Sequence, residues 1–245
     1  MSKYNSADCG FFCIGPYNCL SAIGKIVETA SKPTTETTPL GADGEQFWQK
    51  GRVARTLIQE GWFDDSAGSV HDALNDLPAV DLLLLFAPRG NVAGKKAVGY
   101  AVVNRVAYDI QLQEGDVTLA KAEYTIGGVR EEPTIVMPLA LRTTGANTDA
   151  SYVDLGVAGG PNGGAVYESV TALTLGGYTN AILKLRHSSD HITFAPLVTM
   201  TAVTVPIAER KTTVSAILQY VSGSWEYTGT GTGQNITSVL GVHLF

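Results

Sequence analysis

The sequence predicts a mainly β protein. We expect a first β-sandwich or barrel unit carrying one short helix, then a second antiparallel β-sandwich. Three observations carry this. Only 16% of the 245 residues are charged, against roughly 25% in an ordinary globular protein. Thr and Val recur along the whole chain among 27 glycines, and β-branched residues fit a pleated, half-buried surface. Gly and Asn turns divide the second half at strand-length intervals, the spacing of an antiparallel sandwich.

The elements follow in order. Residues 1–19 contain Gly10, Gly15 and Pro16 and no clean periodicity, so they read as an arm ordered by neighbouring subunits. Leu20 to Thr29 reads as a strand, and Ala30 to Glu45, rich in Thr, Pro and Gly, as a long loop. Phe47–Leu57 and Leu57–Phe63 read as strand material meeting near Gly51 or Gly61. Asp65, Ser66 and Ser69 are helix-cap residues, with Asp72 three positions after Ser69. His71, Ala73, Leu74 and Leu77 continue a short helix that Pro78 ends. Val80 to Ala87 is apolar without a break and predicts a buried strand. Ala97–Gln113 and Asp116–Gly127 alternate and predict two more.

After Glu131-Glu132-Pro133 charge nearly vanishes. Residues 1–135 hold 17 acidic and 12 basic groups, whereas residues 136–245 hold 6 and 5. This change sets a domain boundary near 135, giving units 1–135 and 136–245. Strands are expected at Thr134–Leu141, Ser151–Leu155, Gly164–Leu175, Ala181–Arg186, Thr193–Val205, Thr212–Tyr220, Ser224–Thr228 and Ile236–Phe245.

The net charge of −6 argues against a protein that grips nucleic-acid phosphates. Leu82 to Ala87 is far short of the ~20 apolar residues a membrane helix needs. The first twenty residues lack a basic region followed by a clean apolar core, so synthesis and assembly in a cytoplasm are expected. Cys9, Cys13 and Cys19 are odd in number and do not match zinc-knuckle spacing. They read as reduced, partly buried thiols.

The chemical motifs are weak. His187 and His191, with Asp190, have the spacing of a helical metal pair, but Ser188-Ser189-Asp190 looks like a hairpin tip. Asp64 and Asp65 suit helix capping better than acid–base work. Gly156 to Gly164 lacks the Gly-Lys-Ser/Thr of a phosphate loop. Trp48, Trp62, Phe63 and Trp225 could stack on sugars, or pack in cores and interfaces. Trp62 and Phe63, being adjacent, face opposite sides of a strand. No nucleophile with a base is found, so no enzyme and no cofactor are expected.

Two passages carry a family resemblance. Gly44 to Leu74, GEQFWQKGRVARTLIQEGWFDDSAGSVHDAL, resembles the strand–strand–helix passage of tail tube (major tail) proteins of tailed bacteriophages. LKLRHSSDHITFAPLVTMTAV and SAILQYVSGSWEYTGTGTGQNITSVLGVHLF resemble the C-terminal β-sandwich of many siphophage-type members. The resemblance implies a virion tail protein that forms hexameric rings around an inner β-barrel. Stacked rings would enclose the tape-measure protein and later pass DNA as a non-specific cargo, with tail terminator or tip proteins as further partners and no membrane. If both halves were tube-like, a trimer of pseudo-sixfold symmetry would result. Residues 1–19 and Ala30–Glu45 are the expected ring-to-ring contacts. Glu114, Asp116 and Glu123, in the two alternating segments after Ala97, are the expected lumen-facing carboxylates. The alternative is a carbohydrate-binding β-sandwich module on a virion or cell surface.

Overall fold

The computed structural model describes residues 8–32, 34–36, 48–50, 53–63, 70–75, 82–112, 118–156, 160 and 162–245. The protein is mainly β, built from antiparallel sheets.

The first sheet joins seven strands: β1 (Phe12–Ile14), β2 (Tyr17–Asn18), β3 (Ile23–Ser31), β6 (Ala54–Trp62), β7 (Leu82–Phe86), β8 (Val98–Gln111) and β9 (Leu119–Ile126), in the order β2-β1-β7-β8-β9-β6-β3. β4 (Thr34–Glu36) and β5 (Trp48–Lys50) form a separate two-stranded ribbon. The sheet doubles back on itself at β8. That strand pairs with β7 through Val98–Val103 and with β9 through Val103–Gln111, and a bulge falls between Arg105 and Ala107. A bulged strand that serves two layers makes the corner of a sandwich.

The fold-back is visible in one contact. Tyr100 on β8 donates a hydrogen bond to Glu28 Oε1 on β3 at 2.5 Å. The two strands are three strand spacings apart in the sheet, about 14 Å if it were flat. The layer β2-β1-β7-β8 therefore lies over the layer β8-β9-β6-β3. Between them Phe12, Ile14, Leu57, Leu84, Phe86, Tyr100, Val103 and Tyr124 form one buried core. The helix α1 (Val70–Asn75) adds Leu74 to it.

The C-terminal residues form two further sheets. One has the order β10 (Thr134–Arg142), β18 (Asn235–Leu244), β13 (Gly164–Thr174), β16 (Ala208–Thr213). The other runs β11 (Ala146–Asn147), β17 (Tyr220–Thr228), β14 (Asn180–Ser188), β15 (Ala195–Thr199), with β12 (Val153–Asp154) also on β17. Val136, Met137, Val166, Val170, Leu183, Leu185, Val221 and Leu240 fill the space between them.

A third apolar cluster joins the two parts. Phe11, Cys13, Leu83, Leu85, Ala87 and Ala97 pack against Ile135, Ala165, Tyr167 and Val239. Tyr167 donates to Glu131 at 2.5 Å, and Arg210 grips the same carboxylate at 2.6 and 3.1 Å.

Several expectations need correction. The segment 11–19 is no loose arm: Phe11 and Phe12 are fully buried, and β1 and β2 belong to the chain's own sheet. Phe11-Phe12-Cys13-Ile14 lacks periodicity because both faces are buried, Phe12 and Ile14 in one core and Phe11 and Cys13 in another. Leu20–Ala22 is a short 3-10 turn, so the strand begins later, at Ile23. The expected loop after Ala30 contributes the end of β3 and all of β4. β6 runs unbroken through Leu57 and Gly61. Gly61 marks no turn; it is small because the Ala22 carbonyl lies where a Cβ would stand. In the second half the strand expected at Thr212–Tyr220 lies earlier, at Ala208–Thr213. It is an edge strand, and its Glu209-Arg210-Lys211 run masks the β signal.

Candidate functional site

The first sheet presents a layer of four strands, β8-β9-β6-β3, with one face in the core and the other open. Its register follows from the pairing. On the open face three rows run across the strands. One is Lys25–Glu60–Lys121–Asp109, from β3 to β8. The next is Val27–Ile58–Glu123–Ala107, and the third is Thr29–Thr56–Thr125–Asn104. Thus Glu123 lies on the open face, half-buried between its neighbours. Glu114 and Asp116 lie outside the described residues, as do the cap residues Asp65, Ser66 and Ser69.

The charged row alternates in sign. Lys25 Nζ donates to Glu60 Oε2 at 2.9 Å, and this hydrogen bond, with the charges of Lys25 and Lys121, holds the Glu60 carboxyl below its ordinary range.

Among the described residues neither border of this layer has a second partner strand. β3 pairs on one side with β6, and among the described residues no strand pairs with its other side. Among the described residues β8 beyond Val103 pairs only with β9. Apolar side chains accumulate along that second border: Val106, Ile110 and Leu112 are 53%, 44% and 82% exposed. At the β3 border an apolar groove of about 430 Å³ opens on the core side, lined by Leu20, Ile23, Gly24 and Ile26 with Lys25, Glu28 and Arg130. Unpaired strand edges are templates for another strand.

The face opposite to this layer is covered. The outer side of β1 and β7 carries Phe11, Cys13, Leu83 and Leu85, which pack on the C-terminal sheet β10-β18-β13-β16. The open face and the C-terminal sandwich therefore lie on opposite sides of the first unit.

Most of the other residues singled out in the sequence lie away from this layer. His187 Nδ1 accepts from the Leu218 N–H, whereas His191 stacks on Tyr152 and meets Tyr220 edge-on. Asp190 forms the hairpin tip: its Oδ1 accepts from the N–H groups of Thr193 and Ile192 and from Ser188 Oγ. These bonds, Thr193's first, hold its carboxyl down at about 2. Among the described residues no group of His, Cys, Asp and Glu could hold a metal ion, and no helix is long and apolar enough to cross a membrane. Trp62 is 48% exposed, while Phe63 packs on His71. Trp225 gives its indole N–H to Thr144 O and has the Arg142 guanidinium over its ring. It borders an open groove of about 490 Å³ with Tyr178 and Tyr227.

The border residues of β8 and the row structure escaped sequence reading, because strand neighbours cannot be deduced from alternation alone. The alternating signs of Lys25, Glu60, Lys121 and Asp109 become a pattern only once the register is known.

No family model and no curated protein matches the chain. Three solved structures are similar to it at 10% identity. A chain of the virion of a native gene transfer agent particle matches with a TM-score of 0.39, over 53% of this chain and 98% of that one. A chain from the tail of an empty gene transfer agent particle, with C6 symmetry, gives 0.36 over 45% and 81%. The Dit protein (gp 19.1) of phage SPP1, described as a hub adsorption apparatus in phages infecting Gram-positive hosts, gives 0.33 over 94% and 98%.

Proposed function

We propose that the chain is a structural subunit of a viral tail tube, polymerising as stacked rings around a channel through which DNA passes. The observation that supports this most is the pair of free borders on a four-strand layer. Three antiparallel steps separate β3 from β8, so the two borders run in opposite directions. Rotating one copy about an axis parallel to the layer brings residues 104–111 of its β8 beside β3 of the next copy. The new ladder is antiparallel, like the others. Such a head-to-tail contact closes into a ring when the rotation closes. Six copies, the number implied by the sequence resemblance, bring four strands each. The resulting 24 exceed the roughly 16–18 strands that already leave an aqueous channel.

In this reading residues 1–135 form the ring and residues 136–245 a sandwich on its outside. The open face lines the channel, with Glu123 in the wall. The tape-measure protein fills the lumen before DNA, terminator and tip proteins end the tube, and assembly takes place in the host cytoplasm. The chain performs no catalysis. The test is electron microscopy of the purified chain at high concentration and with a tail-tip nucleus. Rings or tubes of uniform diameter are expected, and a protein that stays monomeric under both conditions refutes the reading.

The groove beside Trp225 favours a second reading, a carbohydrate-binding sandwich. That reading predicts a stable monomer that binds glycans and loses binding on Trp225→Ala.

A further inference from the structure

The register of the junction between copies is written in the rows of the four-strand layer. We infer that Asp109 of one copy lies directly opposite Lys25 of the next, and that this pairing fixes how copies join. The inference rests on the tail-tube reading and adds to it the residues that select the partner edge.

Two rows support it independently. On the open face the row Lys25–Glu60–Lys121–Asp109 alternates positive and negative across all four strands. It begins with a cation at one free border and ends with an anion at the other. Placing Asp109 beside the next Lys25 continues the alternation without a break. Opposite charges directly across a strand pair are favourable, and like charges are not. A slip of two residues along the regular part of β3 would set Asp109 against Val27 and leave Lys25 facing Gln111.

On the core side the adjacent row is Ile23–Gly61–Ala120–Ile110. It is apolar throughout, and both end residues lie at a free border. β3 carries an extra residue, Gly24, between Ile23 and Lys25; with that bulge kept in the new ladder, the same register brings Ile110, 44% exposed in the single copy, onto Ile23 of the neighbour. Leu112, two residues further along β8, then reaches the groove lined by Leu20, Ile23 and Ile26. A charged contact that selects the register and an apolar contact that fills a groove therefore demand the same alignment.

Both charged residues are accessible, which makes the junction easy to reverse. The Lys25 side chain is 60% exposed, and Asp109 is exposed. Lys25→Glu faces Glu60 and Asp109→Lys faces Lys121 within the same copy, and at these exposed positions the repulsion is too small to unfold the chain.

The test uses the full chain and two variants, Asp109→Lys and Lys25→Glu. Each alone presents like charges at every junction, Lys against Lys or Asp against Glu. Mixed in equal amounts and alternating around a ring, they present opposite charges at every junction. The expected result is at least tenfold fewer tubes from either variant alone, and recovery to near the parent's yield from the mixture. Circular dichroism melts check that both variants are folded. Two results overturn the inference while the tail-tube reading survives: variants that assemble alone as well as the parent, or a mixture that stays unassembled under conditions where the parent forms tubes. A parent chain that never assembles overturns both.

Discussion

The ring of Tyr167 lies against Gly99 so closely that a Cβ on residue 99 would meet its Cε1 at 2.9 Å. Gly99 belongs to β8 of the first unit and Tyr167 to β13 of the second, so this contact sets how near the two can come. Gly99→Ala should force the ring aside and cost about 1–3 kcal/mol. Thermal unfolding measures the loss, and Gly128→Ala, with open space around it, is the control.

Glu131 ties the same junction by charge. Burial pushes its carboxyl up, but the hydrogen bonds from Arg210 and Tyr167, with the charges of Arg210 and His243, hold it below its ordinary range. Glu131→Gln removes the charge facing the half-buried Arg210 and should cost roughly 1–3 kcal/mol. Chemical denaturation should register the same cost in the double variant Glu131→Gln/Arg210→Met as in the single one or less, since no charge is then left unpaired.

Glu168 gives a pH dependence. It is fully buried among the residues of the C-terminal core, and neither carboxylate oxygen has a hydrogen-bond partner. Burial, with the charge of Glu209 and against that of Lys211, pushes its pKa up from 4.5 to about 8. Between those values the folded chain holds a proton that the unfolded chain has released. The stability from the protonated form is therefore complete below 4.5 and is lost as pH rises through about 8. Glu168→Gln cannot titrate. Its melting temperature relative to the parent should rise by several degrees between pH 5 and pH 9, and a constant difference would contradict the assignment.

The three cysteines should differ in reactivity. Cys13 and Cys19 are buried, and burial pushes both thiols up to about 12. The thiolate is the reactive form. Iodoacetamide at pH 8 should modify Cys9 first and reach the other two only after unfolding, as mass spectrometry of peptides from the native protein would record.

The proposed wall position Glu123 and a core position should respond differently to substitution. Glu123→Gln should stay within about 0.5 kcal/mol of the parent and still assemble. Leu84→Ala, in the first core, should cost about 2–5 kcal/mol and lower tube yield. Melting curves and negative-stain counts on the same preparations check both.

Much of the fold was legible in single segments. Leu82 to Phe86 has no polar residue because it is covered on both faces: Leu84 and Phe86 face the first core, and Leu83 and Leu85 face the C-terminal sheet β10-β18-β13-β16. The alternation in β9 is equally direct, since Ala120, Ala122, Tyr124 and Ile126 are buried and the residues between them are not. Long-range relations were not legible. Nothing in the spacing of Phe11 announces that it meets Val239, and nothing near Tyr100 announces Glu28. The candidate surface was half legible. Glu123 could be named from alternation, but its neighbours Ile58 and Ala107 required the ladders.

If the proposed tube forms, the alternating row on the open face also decides what a passing polyanion feels. Like charges recur every second strand, a repeat of about 9.6 Å, so the field of the row fades over a length of about 1.5 Å. One layer of water is enough to hide it. A wall patterned in this way carries charge without attracting or repelling at a distance, and a long charged molecule can slide along it without settling at any one place.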